Sequence, residues 1–186
     1  MLSPVKPLKG NLLVSEPFML DPTFKRSVVF LTELEEQGAL GFILNQKSDL
    51  LVSDLVSDST CNFPVYIGGP VANDTLHFIH SCYDRLNSGI EIMDGVYWGG
   101  NFEALQVLIN NNQIERSEIK FFIGYSGWGV EQLEGELEQN SWLVANSFNS
   151  DVIFVEDEEN LWREVVIGLG PKYAHIANFP ENPQWN

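Results

Sequence analysis

Short β-branched or aromatic runs, each closed by a turn rich in Gly, Asn or Glu, constrain this chain more than any other feature. Ser27-Val28-Val29-Phe30-Leu31 reads as a buried strand and Ala39-Leu40-Gly41-Phe42-Ile43-Leu44 as the next, joined through Glu35-Glu36-Gln37-Gly38 as a hairpin-like connection. Asp21-Pro22 marks a turn before the first of them. Further strands are expected over residues 65–67, ending at Gly68-Gly69-Pro70, and over 75–81, 95–98, 119–125, 142–144 and 152–155. Helices are expected over 52–56 and after an Asn101 cap, with Phe102, Leu105 and Leu108 on one side. Two more are expected over 130–137, with Val130, Leu133 and Leu137 inward, and over 161–169, stopped by Gly170-Pro171. Residues 1–10 and the tail around Asn178-Phe179-Pro180-Glu181-Asn182-Pro183 read as extended or irregular. Many strands without strict βαβ alternation imply an α+β fold.

At 186 residues with 44% hydrophobic composition, the chain fits one domain, residues 1–186. A chain of this size buries roughly 70% of its unfolded surface and needs no staples. The charge is lopsided, with 26 acidic against 10 basic residues and a formal net charge of −16. The basic residues are scattered from Lys6 to Lys172, with no run longer than Lys25-Arg26. Affinity for DNA comes largely from Lys and Arg at phosphates, so direct nucleic-acid binding is not expected. Anionic membrane surfaces are disfavoured for the same reason. The charge reads first as solubility, and more sharply as an acidic face for a basic partner. Cys61 and Cys82 make no secreted disulfide framework. The first twenty residues lack the apolar core of a signal peptide, and no apolar run approaches the ~20 residues of a membrane span. Cytoplasmic placement is expected by elimination.

The candidate chemistry is sparse. The strand–turn–helix arrangement expected around residues 119–137 has the layout of a phosphate-binding turn, but Glu131 and Glu134 would repel an anion there. Gly124, Gly127 and Gly129 also miss the G-x-G-x-x-G spacing. The same turn nearly spells a nucleophile elbow presenting Ser126, with Asp151, Asp157 and His175 downstream; Trp128 stands where the final Gly belongs. His77, His80 and Cys82 fall short of a four-ligand zinc set, and nothing basic flanks Cys82 except Arg85. No metal, cofactor or catalytic residue is therefore expected. Asp21, Arg26 and Ser27 form the most informative polar set. An Arg just before an apolar strand reads as an ion pair fixing a loop, with Asp21 as partner, or as a fork for an anionic ligand. Asn45 joins that site or caps a turn.

Five blocks, taken together, resemble the YqgE/AlgH family. They are Asp21-Pro22-Thr23-Phe24-Lys25-Arg26-Ser27-Val28-Val29; Gly38-Ala39-Leu40-Gly41-Phe42-Ile43-Leu44-Asn45; Gly68-Gly69-Pro70-Val71 with Phe78-Ile79-His80; Gly124-Tyr125-Ser126-Gly127-Trp128 with Gln132-Leu133-Glu134 and Trp142; and Trp162-Arg163. They span residues 11 to 179. The resemblance implies an α+β fold in which a small closed β-barrel sits beside a split, mostly antiparallel sheet flanked by helices. It does not imply an activity; the family's second name comes from a proposed regulator of alginate production. The family usually shows Ala where Ser126 stands, which removes the elbow's nucleophile. It usually shows Pro-Gly where this chain has Val130 and Glu131.

The leading expectation is a non-enzymatic binding or regulatory protein that acts indirectly on gene expression through a protein or small-molecule partner. The rival is an enzyme with a polar cleft near Asp21, Arg26 and Asn45. The expected ligand or partner groove comprises Asp21, Arg26, Ser27, Asn45, Gly68, Gly69, His80, Tyr125, Gly127 and Trp128. Arg26 and the turns at 68–70 and 124–128 are expected to meet around it.

Overall fold

Alternation of side chains along a strand explains why the first apolar runs read as continuous. In a computed structural model, which describes residues 5–179 except Asp58 and Asp157, strands β1 (Leu12–Ser15), β2 (Val28–Glu35) and β3 (Gly38–Ile43) are buried on both faces. Leu12, Val14, Val28, Phe30 and Phe42 point into one apolar cluster, while Leu13, Val29, Leu31 and Ile43 point into another on the opposite face. A strand covered on both sides loses its polar alternation. The expectations for residues 180–183 and for Asp157 lie outside the described residues.

The remaining strands are β4 (Lys47–Leu51), β5 (Pro64–Ile67), β6 (Val71–His80), β7 (Ile90–Met93), β8 (Val96–Trp98), β9 (Ile119–Trp128) and β10 (Trp142–Ala145). They form one large sheet in the order β10-β1-β2-β3-β9-β6-β8-β7, antiparallel along this path. The long β9 is where the sheet divides. One edge of β9 pairs with β6. Its other edge pairs with β3 at 126–128 and, in parallel, with β5 at 121–123; β5 in turn pairs with β4.

The sheet is open, so the expected small closed barrel is not present. Its two path ends, β10 and β7, do not pair with each other. Helix Glu158–Gly168 supplies Leu161, Trp162, Val165 and Val166 to the same apolar cluster as Leu12, Val14 and Leu143, so a helix completes this core. On the opposite face, Leu133 and Leu137 of helix Gln132–Glu138 pack with Trp128 and Trp142. Leu105 and Ile109 of helix Phe102–Asn110 pack against Phe78 and Phe121. Asn101 caps that helix as expected, its Oδ1 accepting from Ala104 N at 3.0 Å.

Two further expectations are corrected. Residues 151–154 are one helical turn rather than part of a strand. Asn149 Oδ1 accepts from Asp151 N, and Asn149 O from Val152 N, starting a turn that buries Ile153 and Phe154. The strand expected to stop at Tyr125 runs on to Trp128, because β3 pairs with residues 126–128. Val130 therefore lies in the connection and is 65% exposed rather than inward.

Candidate functional site

The best-defined polar site is built by a turn that two amides clamp. Asp21 Oδ1 accepts from Thr23 N at 2.8 Å, and Asp21 O accepts from Phe24 N. The chain then passes through Arg26 in the left-handed region, at φ +49°. A non-glycine residue held there needs support from its surroundings. Asn45 supplies it: its Nδ2 donates to Arg26 O at 2.8 Å while its Oδ1 accepts from Val28 N at 2.9 Å. Gln46 Nε2 donates to Thr23 O and to Ser27 Oγ. Ser27 is buried, and its N donates to Ser15 Oγ at 2.9 Å. Ser27 and Asn45 thus fix the loop, which places the Arg26 side chain.

Asp21 is not the partner of Arg26. Its carboxylate closes the exposed turn at Thr23, and no described carboxylate pairs with Arg26. The guanidinium instead lies over the Trp162 ring, 4.7 Å from its centroid, and donates from Nη2 to Phe179 O. Its Nε is buried and has no hydrogen-bond partner among the described residues. Trp162 is itself anchored, donating from Nε1 to Ser15 O at 3.0 Å. Beside this stack opens a cleft of about 520 Å³. Lys25, Arg26 and Arg163, three of the chain's ten basic residues, line it together with Asn45, Asn178 and Trp162. Glu159 also lines it. Arg163 Nη2 donates to Asn178 Oδ1 at 3.1 Å.

The glycine turns adjoin the Arg26 loop through Gln46, whose O accepts from Ile67 N at 2.7 Å. Gly69 and Gly124 sit where two backbones touch. A Cβ on Gly69 would lie 2.3 Å from Tyr125 C, and one on Gly124, at φ +66°, 2.7 Å from Gly69 O. Gly68 O accepts from the buried Ser126 hydroxyl at 3.0 Å, so Ser126 ties two strands together instead of standing on an elbow. Tyr125, Gly127 and Trp128 line a second groove of about 410 Å³ with Glu33 and Glu35. Arg26 and Asn45 line the first cleft and not this one. Beneath the second groove, Glu136 Oε2 accepts from both indoles, Trp128 Nε1 at 2.9 Å and Trp142 Nε1 at 2.7 Å, while its Oε1 accepts from Gln132 Nε2 at 2.9 Å.

His80 is enclosed. Its Nε2 lies 3.1 Å from Gly99 O and its Nδ1 3.5 Å from Cys82 Sγ. With Nε2–H donating to the carbonyl, Nδ1 accepts from the thiol. Burial pushes the imidazole pKa down and the Cys82 thiol up to about 11, so both are neutral near pH 7. His77 stands in an aromatic surround of Phe42, Trp98 and Tyr125, its pKa likewise lowered by burial. Among the described residues, no group of three or more His, Cys, Asp or Glu is placed to hold a metal, and no helix is long and apolar enough to cross a membrane.

Comparison with known proteins decides the family. The profile of DUF179, described as AlgH-like, matches residues 12–174. The chain belongs to the AlgH-like family. A UPF0301 protein of Cytophaga hutchinsonii is 42% identical over 181 residues, covering 96% of this chain and 98% of the relative. One from Chlorobium limicola is 43% identical over 178 residues, covering 95% of each. Among solved structures, the solution structure of the AlgH protein from Pseudomonas aeruginosa superposes with a TM-score of 0.72 at 25% identity, over 95% of this chain and 97% of that one. Protein DIP2367 from Corynebacterium diphtheriae gives 0.78 at 23% identity, over 94% of each, and supports the fold alone.

The AlgH-like blocks matter differently once placed. Trp162-Arg163 lies outside the groove expected from the sequence, yet Trp162 carries Arg26 and Arg163 lines the same cleft. An isolated Arg ahead of an apolar strand signals that a partner must exist; it does not say that an indole 136 positions later provides it. Glu131, which stands where the family usually has Gly, keeps a left-handed backbone at φ +59°.

Proposed function

We propose that the chain acts as one domain, in the cytoplasm, as a non-enzymatic binding or regulatory protein whose effect on gene expression is indirect, and that the Arg26 cleft is where it takes its ligand. One observation carries this reading: three of ten basic residues converge on a cleft of about 520 Å³ whose lining contains no nucleophile paired with a base. Elsewhere, Ser126, His80 and Cys82 are buried and engaged with one another or with main-chain carbonyls. The net charge of −16 opposes direct contact with DNA. The enzyme reading needs Asp21 in the cleft, and Asp21 is not among its lining residues.

A thermal-shift screen against small metabolites, followed by mass spectrometry of each hit after prolonged incubation, tests the proposal. The expected result is a compound that raises the melting temperature and is recovered unchanged. A compound converted by the protein overturns it. In parallel, duplex DNA at physiological salt should give no sub-micromolar anisotropy change; such a change would mean that the effect on transcription is direct.

A further inference from the structure

We propose that the Arg26 cleft binds a small organic dianion, a phosphate monoester or a dicarboxylate, between the guanidinium groups of Arg26 and Arg163. This rests on the reading of the protein as a ligand binder and adds the chemistry of the ligand.

Carboxylates are abundant in this molecule, and the four arginines use them differently; Arg116 spends Nη2 on Asn62 and lies over Phe63, away from the cleft. Arg85 takes carboxylate partners, pairing with Asp84 and Glu118. Arg26 and Arg163 do not, although both line the same cleft: neither forms an ion pair with a described residue. Arg163 has Glu159 one helical turn earlier, the spacing at which helix pairs usually form, and bonds to Asn178 instead. Each guanidinium therefore keeps donors in hand. Arg26 uses Nη2 on Phe179 O, and its Nη1 makes no hydrogen bond with a described residue; Arg163 uses Nη2 alone.

The geometry also holds Arg26 ready. Asn45 locks its left-handed backbone, and the Trp162 ring lies against the guanidinium. The indole face excludes water on that side, so an anion in the cleft meets a donor fork against a low-dielectric wall. Planar forks suit the paired oxygens of phosphate and carboxylate, and two forks call for two negative charges. The cleft volume is in the range for a small ligand.

The test is a titration of the full, 15N-labelled chain at low ionic strength with inorganic phosphate, with succinate and with erythritol as a neutral control. The arginine Nε–H and Trp162 indole N–H resonances are followed. Saturable shifts of Arg26, Arg163 and Trp162 are expected with phosphate or succinate and none with erythritol. Arg163→Gln removes an exposed side chain, and Arg26→Lys keeps the charge but not the fork. Each should weaken binding roughly tenfold, about 1.4 kcal/mol, while Arg116→Gln, away from the cleft, should leave it unchanged. Tighter phosphate binding assigns the site to a phosphate monoester, and tighter succinate binding to a dicarboxylate. Shifts that rise without saturating for both anions, or an affinity untouched by Arg163→Gln, overturn the proposal. If both anions fail while the metabolite screen yields a neutral ligand recovered unchanged, the dianion falls and the binding function stands. If a dianion binds through both arginines and is consumed, the reverse holds.

Discussion

Arg26 and Glu136 are charged side chains that each hold tryptophan, and they do so from opposite directions. Arg26 lies on the face of Trp162, where the π cloud attracts a cation. Glu136 sits at the edges of Trp128 and Trp142, where the indole N–H groups point. The carboxylate is largely satisfied, with two indole donors on one oxygen and Gln132 on the other. The guanidinium is not: stacking uses its face, Nη2 donates to Phe179 O and Nε is buried, which leaves Nη1 without a partner among the described residues. A charge whose hydrogen bonds go mostly to its own fold is structural. A charge held in place by stacking, with donors left over beside a cleft, is available to a ligand.

Substitutions on the two sides sharpen or break this contrast. Glu136→Ala should cost the most, about 2–4 kcal/mol in chemical denaturation, because it strands two indole N–H groups on rings that are 5% and 1% exposed. Arg26→Met should cost less, about 1–2 kcal/mol, for one hydrogen bond to a carbonyl and one cation–π contact. No carboxylate is orphaned by it, so the larger loss that follows breaking a buried ion pair is not expected. Should Arg26→Met destabilise as much as Glu136→Ala, the guanidinium is a structural tie like the carboxylate, and the contrast fails. The smallest effect concerns the connection leading into the Glu136 helix. Glu131→Gly should raise stability by about 0.5 kcal/mol, since glycine accepts φ +59° freely while the lost carboxylate gives back some favourable interaction with the helix N-terminus.

The second groove points the other way in charge. Glu33 and Glu35 line it, and Glu131 and Glu134 stand at a neighbouring depression with Glu35 and Glu36. No Lys or Arg lines either. Arg26, Ser27 and Asn45 converge, as do Gly68, Gly69 and Tyr125, and Gln46 joins the two sets: its Nε2 donates to Thr23 O and Ser27 Oγ while its O accepts from Ile67 N. Arg26 and Asn45 line the basic cleft, and Tyr125 lines the acidic groove.

Much of the framework was legible from residue order alone. The paired runs at 27–31 and 39–44, the Asn101 cap and the helix ending before Gly170 follow from local pattern, because alternation, capping and helix termination act over a few residues. Family membership was legible as well, since five blocks in order carry it without any knowledge of contacts. Pattern failed where a partner distant in sequence decides the outcome. The strand past Tyr125 exists because β3 reaches it, and Ile153 and Phe154 turn inward from a helix where their β-branched and aromatic character favours a strand. Whether the sheet closes is likewise settled by what lies against its ends. The cleft belongs to the same class: Arg26 is more than a hundred residues of chain from both Trp162 and Phe179, and only the docking of the last helices onto β1 and β2 brings them together. Local physics selects the elements, while long-range packing decides which charges end with spare donors and which do not.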